Sequence, residues 1–203
     1  MGITSEMKRI SQIAQIIPGA AKGVYSVDID ASKDLIHLLK GSHLDSEGGI
    51  STDDMDQVAF SATRNIDRYI LQKGDVVLMA RGSAIRAGFV STEIAQKRVI
   101  ASANFIIIRP NTEDVQGEVI VAYLNSIVGQ QRLQSLSTGS AMQHIPTSSL
   151  RELEIPVPSK QVQQKISDIF YANREAYQAT LALAEQQKRT ANASMLNMML
   201  DVA

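Results

Sequence analysis

Residues 159–201 read SKQVQQKISDIFYANREAYQATLALAEQQKRTANASMLNMMLD, a stretch that contains neither glycine nor proline. Because those two residues are the usual helix breakers, the stretch predicts one uninterrupted α-helix. Ser159, which directly follows Pro158, is a residue type preferred at a helix N-cap. A helix of this length spans roughly 60 Å at about 1.5 Å per residue. A domain of the remaining size cannot cover all of it, so part of the helix must pack against another surface.

The apolar residues of this helix form a broad, partly polar face rather than a narrow leucine seam. Two copies packed antiparallel as a coiled coil would cover this face most simply. The alternative is a hairpin in which the helix folds back on its own domain, although nothing between Ser159 and Asp201 predicts a turn. The predicted dimerisation residues are Ile166, Ile169, Phe170, Ala176, Tyr177, Leu183, Ala184 and Met195.

Residues 1–158 differ from residues 159–203 and predict a globular domain in which short apolar runs alternate with turn signals. Strands and helices without a regular βαβ alternation predict an α+β fold with a mixed sheet. Helices are predicted at Met7–Ile17 and Gly117–Gln134, and a loop at Ser135–His144. The predicted strands are Asp34–Lys40, Arg68–Leu71, Val76–Ala80, Gly88–Ser91, Ser102–Arg109 and Leu153–Val157.

The composition is that of an ordinary globular protein, with 203 residues of which 44% are hydrophobic and 20% charged. The absence of cysteine excludes disulfides, thiolate catalysis and cysteine-ligated metals. No stretch has the character of a signal peptide or a membrane span, so we expect a cytoplasmic protein. The low aromatic content of 4% disfavours a surface that stacks single-stranded bases.

The net charge of −1 conceals an uneven distribution of charge along the chain. Residues 28–56 hold eight acidic and two basic residues, whereas residues 57–109 hold eight basic and three acidic residues. A local basic patch matters more for phosphate binding than the net charge does. The alternative is that these charges are ordinary solvated faces.

The sequence contains no motif that makes a positive case for catalysis. It has neither a Walker loop nor a GxGxxG motif, and no two prolines are adjacent, as a DNA-methyltransferase tetrapeptide would require. The three histidines lack the spacing of zinc ligands. Asp53, Asp54 and Asp56 lack the glycine and glutamate of a calcium loop. We therefore expect neither an enzyme nor a bound metal ion.

Three segments in a fixed order carry a resemblance to a known family. They are KGDVVLMARG at 73–82, ANFIIIR at 103–109 with YLNS at 123–126, and a third that runs from STGS at 137–140 through IPVP at 155–158 to QKI at 164–166. Together they resemble the target-recognition domain and adjoining helix of type I restriction–modification specificity subunits, over nearly the whole chain. Full-length members of that family have two such domains separated by two antiparallel helices, whereas this chain has one of each.

The resemblance implies a non-catalytic subunit that recognises one half of a split target in double-stranded DNA. A homodimer would supply two identical half-sites. The implied partners are methyltransferase subunits and possibly a restriction subunit, and S-adenosylmethionine and ATP are expected only on those partners. The alternatives are a fragment that joins another specificity polypeptide, a scaffold that assembles through its helix without binding DNA, and a hydrolase or transferase of unrelated type.

Loops that follow strands are the natural positions for side chains that contact DNA. In the loop around Gly82, Arg81, Ser83 and Arg86 are predicted contacts, because arginine can bind guanine O6 and N7 together. Lys97 and Arg98 are predicted to bind phosphate. In the predicted loop Ser135–His144, Gln143 is predicted to bind adenine and His144 to bind phosphate. The remaining predicted contacts of that loop are Thr138, Gly139 and Ser140.

Overall fold

The structure is a computed structural model that describes residues 5–26, 35–45, 47–60, 66–139 and 143–200. The chain divides into two compact units, Met1–Ser167 and Asp168–Ala203. The first unit has the predicted α+β architecture, which includes a mixed sheet, and the second is helical. None of the helices in the described ranges has the length and hydrophobicity that crossing a membrane requires.

Twelve strands, six α-helices and a 3-10 turn make up the described part of the chain. The strands are β1 (Glu6–Arg9), β2 (Ala14–Pro18), β3 (Tyr25–Ser26), β4 (Leu35–Leu39), β5 (Asp56–Phe60), β6 (Val76–Met79), β7 (Arg81–Gly82), β8 (Arg86–Phe89), β9 (Val99–Ala101), β10 (Phe105–Pro110), β11 (Gln143–His144) and β12 (Glu154–Val157). The helices are α1 (Ile10–Ile13), α2 (Thr92–Gln96), α3 (Gly117–Asn125), α4 (Ile127–Leu136), α5 (Thr147–Arg151) and α6 (Lys160–Leu200), and the 3-10 turn is Gly41–His43.

One four-stranded sheet is antiparallel, in the order β2-β10-β6-β8. Ile107 of β10 lies opposite Val77 of β6 on one side and Ile17 of β2 on the other. All four residues of β6 are buried, as are Phe105–Ile108 of β10. A strand covered on both faces is a continuous apolar run, which is the pattern that predicted these two strands. Burial of each large side chain contributes about 1.5–3 kcal/mol.

A second four-stranded sheet is mixed, in the order β3-β5-β4-β9. Strand β4 is antiparallel to β5 and parallel to β9, and His37 lies opposite Val99 in the parallel pair. The hydrophobic core of this mixed sheet contains Ile36, Val58 and Ile100, which are fully buried. Two shorter antiparallel ladders, β1-β12 and β7-β11, complete the pairing.

The predicted helix Met7–Ile17 is wrong. Only Ile10–Ile13 is helical, and strands precede and follow it. Strand β1 pairs with β12 and strand β2 pairs with β10, so both partners come from distant parts of the chain. Isolated short helices are marginal, and pairing with an established sheet outweighs their weak local preference.

The predicted helix Gly117–Gln134 is interrupted at Ser126, which separates α3 from α4. The Ser126 hydroxyl accepts a hydrogen bond of 3.1 Å from the Gly129 backbone N–H and so caps α4. A methyl group on Gly129 would lie 1.9 Å from the Tyr123 carbonyl oxygen. Glycine is therefore required where the chain turns between the two helices.

The strand predictions are confirmed at Asp34–Lys40, Val76–Ala80 and Leu153–Val157 by β4, β6 and β12. The strand predicted at Gly88–Ser91 lies two residues earlier, as β8, and the strand predicted at Ser102–Arg109 begins three residues later and ends one residue later, as β10. The strand predicted at Arg68–Leu71 is wrong, because within that segment the structure has an isolated bridge from Ile70 to Ile100 and no strand. The loop predicted at Ser135–His144 holds in part: α4 extends to Leu136 and Gln143–His144 form β11.

The long helix is confirmed as α6, and its first two turns, which are part of the first unit, are fixed there by polar side chains. Gln163 is 1% exposed, and its Nε2 donates hydrogen bonds of 2.9 Å to the carbonyl oxygens of Asp114 and Pro158. Its Oε1 accepts from the Gln116 backbone N–H at 3.0 Å, and the Ser167 hydroxyl donates to Gln116 Oε1 at 2.7 Å. Each bond contributes about 0.5–1.5 kcal/mol, and the set fixes where the helix begins.

Candidate nucleic-acid interface

Two short strands bring together the two loops in which DNA contacts are predicted. In the β7-β11 ladder Gln143 lies opposite Gly82 and His144 lies opposite Arg81. Thr138 and His144 exchange backbone hydrogen bonds of 2.9 and 3.1 Å, which closes the second loop. The Ile145 backbone N–H donates to the Ala80 carbonyl at 2.9 Å, next to the end of β6. The two loops therefore form one surface, which we call the paired-loop surface (residues 81–86, 137–139 and 143–144).

Arg81 and His144 are in direct contact within the paired-loop surface. Arg81 Nε donates to His144 Nδ1 at 3.1 Å, although the two residues are 63 positions apart. The bond uses one of the five N–H donors of the guanidinium group and restrains its orientation. Within the described ranges, the terminal nitrogens of this exposed arginine have no hydrogen-bond partner. In general, arginine uses such terminal nitrogens when it contacts guanine O6 and N7 together.

The other predicted contacts of the paired-loop surface differ in exposure. Ser83, Thr138 and Gly139 are exposed, and Gln143 is half-buried. Arg86 is half-buried, and its Nη2 donates a long hydrogen bond of 3.4 Å to the Gly41 carbonyl. Ser140 lies outside the described residues.

Lys97 and Arg98 lie at a separate connection, between α2 and β9. Lys97 Nζ donates to the Thr52 hydroxyl at 2.5 Å and lies 3.8 Å from a Glu93 carboxylate oxygen. Arg98 has a positive φ of 50° in this turn. The structure thus brings the Gly82 loop and the second loop together through the β7-β11 ladder, whereas Lys97 and Arg98 belong to a different connection.

One basic residue of the stretch 57–109, Arg109, points into the protein. Arg109 donates from Nε and Nη2 to the two carboxylate oxygens of Asp75, at 2.9 and 2.8 Å, and from Nη2 to the Ile70 carbonyl at 2.9 Å. Asp75 is 1% exposed and also accepts from the Gln72 backbone N–H at 2.8 Å. Arg109 therefore stabilises the start of β6, and its Nε and Nη2 donors are already used within the protein.

Asn125 fixes the strand that carries Arg86, and the sequence analysis assigned it no role. Its Oδ1 accepts from the Ala87 backbone N–H at 2.9 Å, and its Nδ2 donates to the Ala87 carbonyl at 2.8 Å. The Phe89 N–H donates to the Gly48 carbonyl at 3.0 Å on the same strand. Helix α3 thus holds β8 in place behind the paired-loop surface.

The second unit offers a different kind of surface. Residues 180–200 of α6 are exposed throughout. Of the predicted dimerisation residues, Ile169, Ala176, Leu183, Ala184 and Met195 are exposed, and Ile166, Phe170 and Tyr177 are half-buried. Exposed apolar side chains in such a row are uncommon unless an interaction covers them.

The chain matches a known protein family in sequence and several solved structures in fold. The family model described as "Type I restriction modification DNA specificity domain" matches residues 4–190. A comparison with curated proteins gave no match. Three similar solved structures come from type I restriction–modification systems.

The type I restriction–modification S subunit from M. genitalium is 18% identical, with a TM-score of 0.59, and the match covers 93% of this chain and 44% of that one. The HsdS subunit from Thermoanaerobacter tengcongensis is 17% identical, with a TM-score of 0.60, and the match covers 91% and 46%. A third chain, from a structure of complex assembly and conformational transition of the type I R-M system, is 16% identical, with a TM-score of 0.61 and the same coverage.

At these identities the structural likeness shows a shared fold, and this chain spans less than half the length of each of the three proteins. The family model, in contrast, covers nearly the whole chain. The chain therefore belongs to the family of type I restriction modification DNA specificity domains.

Proposed function

We propose that this protein is a DNA sequence-recognition subunit of a type I restriction–modification system. It binds one half of a split duplex target through the paired-loop surface and is not itself an enzyme. Methyltransferase subunits, and a restriction subunit, bind S-adenosylmethionine and ATP and carry out catalysis in the cytoplasm. The observation that carries the proposal is the Arg81–His144 contact, which joins two loops into one polar surface in a chain of the specificity-domain family.

The paired-loop surface has the chemistry of a DNA-reading site. Arg81 presents a bidentate donor edge, and Gln143 and Ser83 add amide and hydroxyl groups that bind bases or phosphates. The Gly82 loop follows the buried strand β6, and the Ile145 N–H bond to the Ala80 carbonyl ties the second loop to the end of that strand, so both backbones are positioned by rigid structure. The formal net charge of −1 is compatible with this function because binding depends on local cations.

We further propose that two copies pair antiparallel through α6 and so present two half-sites related by a two-fold axis. A seam drawn from Ile166 in alternating steps of four and three contains Phe170, Tyr177, Ala184 and Met198. With the two-fold axis level with Ala182, three of the five pairs along this seam set a larger side chain of one copy against a smaller one of the other. These pairs are Phe170 with the partner's Ser194, Asn173 with the partner's Ala191, and Thr180 with the partner's Ala184.

Replacement of Arg81 with glutamine tests the recognition proposal. We expect the variant to bind a duplex selected by the wild-type protein from a randomised library about 10–100-fold more weakly, because a bidentate base contact is worth about 1–3 kcal/mol. Preference at one base position should relax at the same time. Fluorescence anisotropy at fixed salt measures the affinity, and selection with the variant measures the preference.

Lys73→Gln is the matched control, because Lys73 is an exposed basic residue beyond the opposite end of β6. It should leave affinity within about twofold of wild type, apart from a small change in salt dependence. If the wild-type protein shows no preference for any duplex, the recognition proposal fails and a scaffold that assembles through α6 becomes the better description.

A further inference from the structure

Met79, the last residue of β6, packs between two turns that are far apart in the sequence. A methyl group on Gly41 would lie 2.8 Å from Met79 Sδ, and one on Gly82 would lie 3.4 Å from Met79 Cε. Met79 itself is 5% exposed. The 3-10 turn Gly41–His43, to which the sequence analysis assigned no role, therefore lies beside the Gly82 loop of the paired-loop surface.

Arg86 connects the same two segments a second time. It lies opposite Met79 in the β6-β8 pair, and its Nη2 donates to the Gly41 carbonyl at 3.4 Å. Its Nε is enclosed by protein and has no hydrogen-bond partner in the part of the chain that the structure describes. A predicted DNA-binding arginine is thus directed at the backbone of the turn.

Hydrogen bonds at both ends hold the turn in one conformation. The Lys40 backbone N–H donates to His43 Nδ1 at 3.1 Å, and the His43 backbone N–H donates to the Lys40 carbonyl at 3.1 Å. The Ser51 N–H donates to the His43 carbonyl at 2.9 Å. His43 is buried, whereas Ser42 at the tip of the turn is exposed. A fixed backbone therefore presents the Ser42 hydroxyl to solvent.

Lys40, the basic residue that precedes the turn, already has a partner. Its Nζ donates to a carboxylate oxygen of Asp56, and this hydrogen bond, together with the positive charge of Lys40, holds the pKa of Asp56 below its ordinary value. Ser42 is consequently the side chain of this turn that is best placed to reach a ligand.

We infer that the turn Gly41–His43 is a third DNA-facing segment, in which the Ser42 hydroxyl contacts the phosphate backbone of the duplex bound by the paired-loop surface. The inference rests on the proposed function. Serine hydroxyls are common donors to phosphate oxygens, and contacts of this kind set the register of a protein on DNA without reading bases.

Opposite charges introduced at Ser42 test the inference. Ser42→Lys should raise affinity for the selected duplex about 3–10-fold and steepen the dependence of log affinity on log salt by about one. Ser42→Glu should lower affinity about tenfold at low salt through repulsion of phosphate. Because Ser42 is exposed, both variants should keep the far-ultraviolet circular dichroism spectrum and melting temperature of the wild-type protein.

Gln72→Lys and Gln72→Glu are the matched controls, because Gln72 is an exposed residue in the turn at the other end of β6. Affinities that change equally at both positions would show a general effect of charge and overturn the inference. If the Ser42 variants bind the selected duplex like wild type while Arg81→Gln binds it weakly, the role of Ser42 is overturned and the proposed function stands. Loss of all duplex preference in the wild-type protein would instead overturn the proposed function.

Discussion

Replacing Asp75 with asparagine is expected to lower the free energy of unfolding by about 3–5 kcal/mol. The change leaves the Arg109 guanidinium, whose side chain is 18% exposed, with a neutral partner in place of a carboxylate. Removal of one member of a buried ion pair is costly because the remaining charge loses compensation while it stays desolvated. Urea denaturation followed by circular dichroism measures the loss as a lower midpoint at an unchanged slope.

Two further variants separate this effect from a general effect of acidic residues. Asp54→Asn, at an exposed turn position, should stay within about 0.5 kcal/mol of wild type. Replacing the whole pair, as Asp75→Leu with Arg109→Met, should recover part of the loss, because apolar residues of similar volume need no charge compensation. If Asp75→Asn unfolds at the wild-type urea concentration, the pair does not stabilise the start of β6.

Replacing Ala184 with aspartate is expected to convert the proposed homodimer into monomers. In the antiparallel register centred at Ala182, the new carboxylate of each copy faces Thr180 of the other copy. The dimer therefore contains two such contacts. Desolvation costs several kcal/mol per ion, so the dimer dissociation constant should rise by at least about 100-fold. Sedimentation equilibrium over a range of protein concentrations measures that constant.

Ala182→Asp is the control for this variant. Residue 182 lies about 200° around the helix from residue 184, on the side away from the seam. The two variants carry the same change in helix propensity, so a difference between them reports the helix face and not helix stability. Equal dissociation in both variants would contradict the proposed seam, and a wild-type protein that is monomeric at high concentration would contradict the homodimer.

The parts of the fold that the sequence predicts well are those decided by local signals. Helix α6 follows from the absence of breakers between Ser159 and Asp201, and β6 and β10 follow from their short apolar runs. The helix predicted at Met7–Ile17 is wrong because its residues pair with β10 and β12, whose partner residues lie ninety or more positions away. A sequence pattern carries no information about which distant strands are available as partners.

In the candidate site, too, the local features are predictable from the sequence and the tertiary contacts are not. The Gly82 loop and the loop 137–144 are predictable as loops, but their pairing through Arg81 and His144 depends on tertiary structure. The inward orientation of Arg109 also needed the strand register, which places Ile108 opposite Val76 and so brings Arg109 beside Asp75. The role proposed for Ser42 rests on packing around Met79, for which the turn sequence gives no signal.

The Asn125 contact to Ala87 also affects how this protein can associate with itself. Strand β8 is the last strand of its sheet, and an edge strand with unpaired backbone groups is a template for aggregation or strand exchange. Here the amide of one side chain occupies both backbone groups of Ala87, and the Gly48 carbonyl occupies the N–H of Phe89. That edge is closed to an incoming strand at these positions. Extension of the sheet through β8 is thereby disfavoured at Ala87 and Phe89.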